Sequence, residues 1–201
     1  MQASTHLRLA QHCLQSLSHS GPIRQLAFLF GSIEPDINLL SYFKGANHGT
    51  GLHGHNYTQA LLRIDRLSQQ LHTKTHWGIQ EYYRLGKLTH YAADAFTFPH
   101  NRRFHGSMRA HIRYEADLDA CFQDRLQREK TSMPPYLPMQ KADFPSLLRW
   151  RHQLYEQTEM GLKKDTIYIL EIVQAAMDIF VPVDTPAYLP KDIHRLGGAL
   201  R

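Results

Sequence analysis

Residues 88–96 have the sequence LTHYAADAF, which places His90 and Asp94 four residues apart on a predicted α-helix. Side chains at this spacing lie on one face of a helix, within reach of a single metal ion. Pairs of this kind are also frequent on the surfaces and in the cores of helical proteins. A single pair therefore does not establish a metal site, and the flanking sequence has to support it.

A second pair with the same spacing follows at His111 and Glu115, and His100 lies between the two pairs. His100 comes just after Pro99, which is predicted to end the first helix. On two neighbouring helices these residues would form a cluster of imidazoles and carboxylates that suits zinc. A bridging carboxylate such as Asp94 would hold two ions close together, as in phosphatases and nucleases. The pattern therefore indicates phosphoryl chemistry.

The composition is that of an ordinary folded protein, with one unusual feature in its histidine content. The chain has 201 residues, of which 42% are hydrophobic and 20% charged, and we expect a single domain over 1–201. It has 14 His but only two Cys, Cys13 and Cys121, so a metal would be held by nitrogen and oxygen. The formal charge of +5 predicts an anionic partner, such as a phosphate ester.

Signals for secretion, membrane insertion and duplex nucleic-acid recognition are not found in the sequence. The first residues lack the apolar stretch of a secretory leader. No segment approaches the roughly 20 apolar residues that a membrane-spanning helix needs. We therefore expect a cytoplasmic protein that makes at most a transient contact with a lipid surface.

Helical periodicity runs through most of the chain and predicts an all-α fold with several helices. The predicted helices cover about 4–19, 22–31, 56–74, 76–98, 105–130, 144–161 and 164–181. Residues 31–55, rich in Gly, Asn and Pro, are predicted to form one long loop. The metal site is expected within about 4–125, followed by packing helices at about 143–181 and an extended tail at 182–201.

Five short motifs occur in a fixed order along the chain. They are Thr5-His6-Leu7, Gly31-Ser32-Ile33-Glu34-Pro35-Asp36, Gly54-His55-Asn56-Tyr57, His90-x-x-x-Asp94 with His100 six residues later, and His111-x-x-Tyr114-Glu115. This order resembles the zinc-dependent phospholipase C family, whose fold is shared by the single-strand-specific zinc nucleases. The likeness spans about residues 4–125. It implies an all-helical hydrolase that acts on a phosphodiester, a phospholipid head group or a small phosphorylated metabolite.

The resemblance also implies how two or three zinc ions are held. One ion would be bound by His55, His90 and Asp94, and a second by His100, His111 and Glu115. Asp94 would bridge to a third ion, whose other ligands are His6 and the N-terminal amino group. Secreted members of the family begin with a tryptophan that binds this third ion, whereas this chain begins with Met1.

Asp36 and His55 are assigned from their motifs. Asp36, in the predicted loop, matches the family's aspartate that acts as general base or orients the attacking water, and we place it in the metal site. Its alternative role is to cap a turn after Pro35. The Gly-His-Asn-Tyr motif matches the family's His-x-Tyr and assigns His55 as a ligand, with His53 as the alternative.

Two other classes of protein fit the same residues. In a structural metalloprotein the metal would hold the helices together, and chelation would unfold the chain without any ester being cleaved. A metalloenzyme of different chemistry would use the same ligands, since a ligand set does not fix the reaction. The histidines without a place in the motifs are predicted to face solvent or make local hydrogen bonds: His12, His19, His72, His76, His152 and His194.

Overall fold

The computed structural model describes residues 1–38, 57–128 and 144–181. It contains seven α-helices in these ranges: α1 (Ala3–Cys13), α2 (Pro22–Ile37), α3 (Tyr57–His72), α4 (Ile79–Ala95), α5 (Met108–Arg128), α6 (Phe144–Glu156) and α7 (Leu162–Phe180). Short 3₁₀ helices cover Leu14–Leu17 and Phe98–His100, and no strand occurs among the described residues. The prediction of an all-α fold is confirmed. The predicted tail at 182–201, and His55 in the predicted loop, lie outside the described residues.

Helix α4 lies at the centre of the bundle and contacts α1, α2, α3 and α7. Its apolar residues Leu85, Leu88 and Ala92 are fully buried. His90 and Asp94, on the same helix, are also buried, with exposed fractions of 1% and 2%. An ion bound by these two side chains would therefore lie inside the bundle, where charges interact more strongly than at the surface.

Helices α2 and α4 approach each other closely because each has a glycine at the point of contact. A Cβ added to Gly86 would overlap the carbonyl oxygen of Phe28, and one added to Gly31 would overlap the carbonyl oxygen of Tyr83. Carbon and oxygen atoms that are not bonded need a separation of about 3.5 Å. The two helices therefore pack backbone against backbone, with no layer of side chains between them.

Helix α2 extends further than the sequence predicted, which corrects the position of Asp36. The prediction ended this helix at residue 31 and placed Asp36 in a loop, whereas α2 continues through both Pro35 and Asp36. Pro35 removes only one backbone donor, and the last turn is closed by the Asn38 N–H, which donates to the carbonyl oxygen of Glu34 at 2.9 Å. Glu34 is further held by Lys87 of α4, at 2.8 Å.

Helix α4, in contrast, ends earlier than predicted, at Ala95 rather than at residue 98. Asn101 explains this end, because its side-chain amide donates to the carbonyl oxygens of Ala95 at 3.3 Å and Thr97 at 2.9 Å. These bonds satisfy carbonyl groups at the helix end, and that of Ala95 has no helical partner because Pro99, four residues later, lacks an N–H. Pro99 then lies within the short 3₁₀ helix, and His100 lies at the end of that turn.

The Gly86→Ala substitution is expected to destabilise the protein by about 1–3 kcal/mol, the usual range for an overpacked core. Alanine is the better helix former by about 1 kcal/mol, so a net loss of stability must come from the overlap with Phe28. Urea unfolding followed by circular dichroism measures the difference. Gly161→Ala is the control, because no atom lies within 4 Å of a Cβ added there. A Gly86→Ala protein as stable as this control would contradict the close approach of the helices.

Candidate metal centre

Seven of the eight predicted site residues lie in the described part of the chain, and the structure brings all seven together. They are His6 on α1, Asp36 on α2, His90 and Asp94 on α4, His100 on the 3₁₀ turn, and His111 and Glu115 on α5. The eighth, His55, and its alternative His53 are outside the described residues. Four helices and one turn therefore contribute to a single cluster.

His6, Asp36 and His90 form the first group of donor atoms, all within 4.8 Å of one another. The Nε2 atom of His6 lies 3.9 Å from Asp36 Oδ2, and Nε2 of His90 lies 3.7 Å from Asp36 Oδ1. Two ligands of one tetrahedral zinc ion, each about 2.1 Å from the metal, are roughly 3.4 Å apart. The group therefore fits one ion. It differs from the set that the resemblance implies for His90, which contains Asp94 and His55.

His100, His111 and Glu115 form the second group, again with donor atoms within 4.8 Å of one another. Oε1 of Glu115 lies 3.1 Å from Nε2 of His100 and 2.9 Å from Nε2 of His111. His111 and Glu115 are one turn apart on α5, so their side chains lie on the same face of that helix. Two imidazoles and a carboxylate are a donor set that zinc prefers.

Asp94 lies between the two groups and contacts both. Its Oδ1 is 3.2 Å from Nε2 of His6, and its Oδ2 is 3.3 Å from Nε2 of His90. The same Oδ2 is 3.6 Å from Nδ1 of His100, in the second group. Both oxygens of Asp94 therefore face the first group and Oδ2 also faces the second, which is the position of a carboxylate that bridges two ions.

The amino group of Met1 is buried in the middle of the cluster. It donates to Asp94 Oδ1 at 2.7 Å and lies 3.2 Å from Glu115 Oε1 and 3.4 Å from Nε2 of His100. Burial on its own would lower the pKa of this amino group. The carboxylates of Asp94, Glu115 and Asp36 outweigh that effect and raise the pKa from 8.0 to about 10. In the structure this ammonium is the positive charge that the carboxylates surround.

Two carboxylates of the cluster, those of Asp94 and Glu115, are held ionised. Burial on its own would raise the pKa of Asp94, but the Met1 ammonium and the neighbouring imidazoles outweigh it and keep the pKa well below its usual range. The pKa of Glu115 is likewise well below its usual value, because hydrogen bonds from His100 and His111 outweigh the effect of burial. Ionised carboxylates are the form that binds divalent cations.

Two imidazoles of the first group lie face to face. The ring centroids of His6 and His90 are 3.8 Å apart. Burial, together with the charge that His90 can acquire, lowers the pKa of His6 well below its usual value, so His6 is neutral. The neutral imidazole is the form that binds a metal ion. Nδ1 of His90 donates to the carbonyl oxygen of Ser32 at 2.9 Å, which leaves Nε2 to face the carboxylates.

His152 was predicted to face solvent or make local hydrogen bonds, and this prediction was wrong. The side chain is 1% exposed and stacks on Tyr57, with ring centroids 3.5 Å apart. Its Nε2 donates to Oδ1 of Asn101 at 2.6 Å and so supports the residue that follows His100. The spacing of Leu148, His152 and Tyr155 places all three on the same buried face of α6. This pattern would have predicted that His152 is buried.

Comparison with known proteins agrees with this geometry. A sequence model of the zinc-dependent phospholipase C family matches residues 5–164. The match covers most of the chain, so the chain belongs to that family, and the resemblance stated above is confirmed. No curated protein and no solved structure matches the chain significantly. Membership supports zinc as the metal and hydrolysis of phosphate esters as the class of reaction.

Stability is expected to fall between pH 6.5 and pH 4 because of His152. Burial lowers the pKa of His152 from 6.5 to about 4, although a hydrogen bond with the backbone at Ala95 opposes this. In that window the unfolded chain takes up a proton that the folded protein excludes, so the free energy of unfolding decreases with falling pH. The decrease is as much as about 3 kcal/mol. Urea unfolding at several pH values, with chelator present so that metal loss does not contribute, measures it.

The His152→Gln variant is the reference for this experiment. Glutamine keeps a donor for Asn101 and does not titrate, so the pH dependence due to the other groups remains in both proteins. Glu156, with an oxygen 3.9 Å from Nδ1 of His152, is also common to both. Identical pH profiles for the two proteins would show that His152 does not contribute.

Proposed function

We propose that the protein is a zinc-dependent hydrolase of phosphate esters whose reaction takes place at the seven-residue cluster. The supporting observation is that two three-residue donor groups lie on either side of Asp94. Enzymes that hydrolyse phosphate esters use adjacent divalent ions in this way. Zinc, when bound, lowers the pKa of water and polarises a phosphoryl oxygen.

The proposed ligands follow the two groups. His6, Asp36 and His90 would hold one ion, and His100, His111 and Glu115 another, with Asp94 as the bridge. A third ion shared by Met1, His6 and Asp94 would replace the proton that the Met1 amino group now donates to Asp94 at 2.7 Å, because only the deprotonated amine binds a metal. With three ions, His90 would share its ion with His55.

Asp36 is the proposed catalytic carboxylate. Its side chain is 15% exposed, whereas that of Asp94 is 2% exposed, so Asp36 is the more accessible of the two to water and substrate. It faces both His6 and His90, which fixes its direction. A carboxylate is a weak base at neutral pH, so we assign Asp36 mainly to orienting the attacking water and secondarily to accepting its proton.

The protein is expected to contain at least two zinc ions per chain and to lose turnover of phosphodiesters when they are removed by chelation. In His111→Ala, the zinc content should fall by about one ion per chain and turnover by more than about 100-fold. The loss of a residue that only supports a ligand already lowers metal affinity or activity by about 10–100-fold, and His111 is itself a proposed ligand. Elemental analysis and a panel of phosphodiesters and phosphomonoesters measure the two effects.

His105→Ala is the matched control, because His105 is an exposed histidine in the segment just before α5. It should retain both zinc and turnover. Zinc well below two per chain in the unmodified protein would contradict the proposal. Unfolding on chelation, with no ester cleaved under any condition, would favour a structural metalloprotein instead.

A phospholipid is the substrate that the surface next to the site favours. Helix α2, which ends beside the cluster, exposes Ile23, Leu26, Phe30 and Ile37, each at least 50% accessible. Their spacing places these four side chains on one side of α2. The same helix also contributes Asp36. Apolar side chains in such a row insert into the boundary between lipid head groups and acyl chains. Among the described residues, no helix combines the length and apolar character needed to cross a membrane.

Leu26→Glu is expected to lower turnover of phospholipid in zwitterionic vesicles by about 10- to 100-fold, because inserting one leucine side chain contributes about 1.5–3 kcal/mol. Turnover of a soluble short-chain phosphodiester should not change. Leu62→Glu on α3 is the control, since Leu62 is 64% exposed and Leu26 is 66% exposed. An equal effect of Leu26→Glu on both substrates would contradict lipid contact through α2.

A further inference from the structure

The second donor group depends on the relative position of two separate elements. His100 lies on the 3₁₀ turn, whereas His111 and Glu115 lie on α5. Seven residues, 101–107, separate the turn from the start of that helix. The three donor atoms meet only if the turn and the helix are held in a fixed relation, so the support between them matters for metal binding.

Asp165, in the first turn of α7, provides that support. The side chain is fully buried. Its Oδ2 accepts hydrogen bonds from the backbone N–H of Phe98 at 2.8 Å and from the hydroxyl of Tyr114 at 2.8 Å. Its Oδ1 accepts a hydrogen bond from the hydroxyl of Tyr155 at 2.7 Å. A buried carboxyl group is costly without such partners, and here these three donors and the backbone of Gly161 converge on it.

The two donors to Oδ2 come from the two elements that contribute ligands. Phe98 begins the 3₁₀ turn two residues before His100, and Tyr114 directly precedes Glu115 on α5. The rings of Phe98 and Tyr114 also pack edge to face, with centroids 5.7 Å apart. One oxygen atom of a third element, α7, therefore joins the turn to α5.

We propose that Asp165 is a positioning residue for the zinc ion held by His100, His111 and Glu115. It acts through Phe98 and Tyr114 and does not itself touch the donor atoms of the group. The inference rests on the proposed function, because it assumes that this group binds zinc. Asp165 lies just beyond residues 5–164, the part matched by the family model.

Two tyrosines separate a positioning role from a structural one. The hydroxyls of Tyr114 and Tyr155 donate to the same carboxyl group at nearly the same distance. Tyr114 is on α5 with two of the ligands, whereas Tyr155 is on α6, which holds none of the proposed ligands. Replacing either by phenylalanine removes one hydroxyl and leaves the ring in place. A merely structural Asp165 predicts the same effect for both substitutions.

The experiment compares zinc binding in the full-length variants by competition with a chromophoric chelator. Tyr114→Phe is expected to lower the affinity for one of the bound zinc ions by about tenfold. This is the lower end of the effect seen when a group that supports a metal ligand is lost. Tyr155→Phe should change zinc affinity by less than twofold. In the cobalt-substituted protein, the visible absorption of the ion at that site should change only in Tyr114→Phe. Thermal unfolding of both variants without metal controls for stability.

Substitutions of Asp165 itself complete the test. Asp165→Ala is expected to lower the affinity for the same zinc ion more than Tyr114→Phe does. Asp165→Asn should restore most of the affinity, because its oxygen accepts from Phe98 and Tyr114 and the Tyr155 hydroxyl can turn to accept from the amide. The comparison of the two tyrosines remains decisive if Asp165→Ala fails to fold.

The outcomes distinguish this inference from the proposed function. Equal changes in zinc affinity for Tyr114→Phe and Tyr155→Phe, or no change in either, would overturn the positioning role while leaving the metal site intact. Absence of zinc from the unmodified protein would overturn both. A selective loss in Tyr114→Phe, with rescue by Asp165→Asn, would support the role of Asp165.

Discussion

The close contact between α2 and α4 at Gly31 and Gly86 is the constraint on which the candidate metal centre depends. With no side chains between the two backbones, the carbonyl oxygen of Ser32 comes within hydrogen-bonding distance of His90. The same approach directs Asp36, at the end of α2, toward His90. A wider separation would remove both interactions, since neither a carbonyl group nor an aspartate can extend across an added layer of side chains. The first donor group is therefore a consequence of helix packing.

Burying so many charges requires compensation by cations. Asp36, Asp94 and Glu115 lie close together within the bundle, and removing each carboxylate from water costs several kcal/mol. The Met1 ammonium supplies one positive charge, and His6 is neutral because of burial and the charge on its neighbour. A divalent ion bound in the cluster would balance the remaining negative charge. The electrostatics of the folded chain and the chemistry of the donor atoms thus both favour the binding of divalent cations here.

The sequence predicted the type of fold and the residues of the cluster better than it predicted their arrangement. A spacing of four residues within a helix is a local property, so the sequence alone predicted that His111 and Glu115 lie side by side. The helices were predicted from the periodicity of their apolar residues. Pro35 and Asp36 were placed in the predicted loop, although one missing donor in the last turn of a helix is easily tolerated when neighbouring residues pack well. The hydrogen bond from His90 to Ser32 could not be predicted, because its acceptor is a backbone carbonyl group, which every residue has. Asp165 was missed because it is remote from every motif.

The two donor groups are supported by different parts of the molecule. The first relies on the backbones of α2 and α4, and most of its support comes from glycine contacts and a carbonyl oxygen. The second relies on buried polar side chains of the C-terminal helices, with Asp165 bonding to the turn and α5, and His152 bonding to Asn101. Although the last motif ends at Glu115, the arrangement of the last three proposed ligands thus depends on helices that follow it. The proposed ligands determine the chemistry, and the C-terminal helices help to set the distances between those side chains.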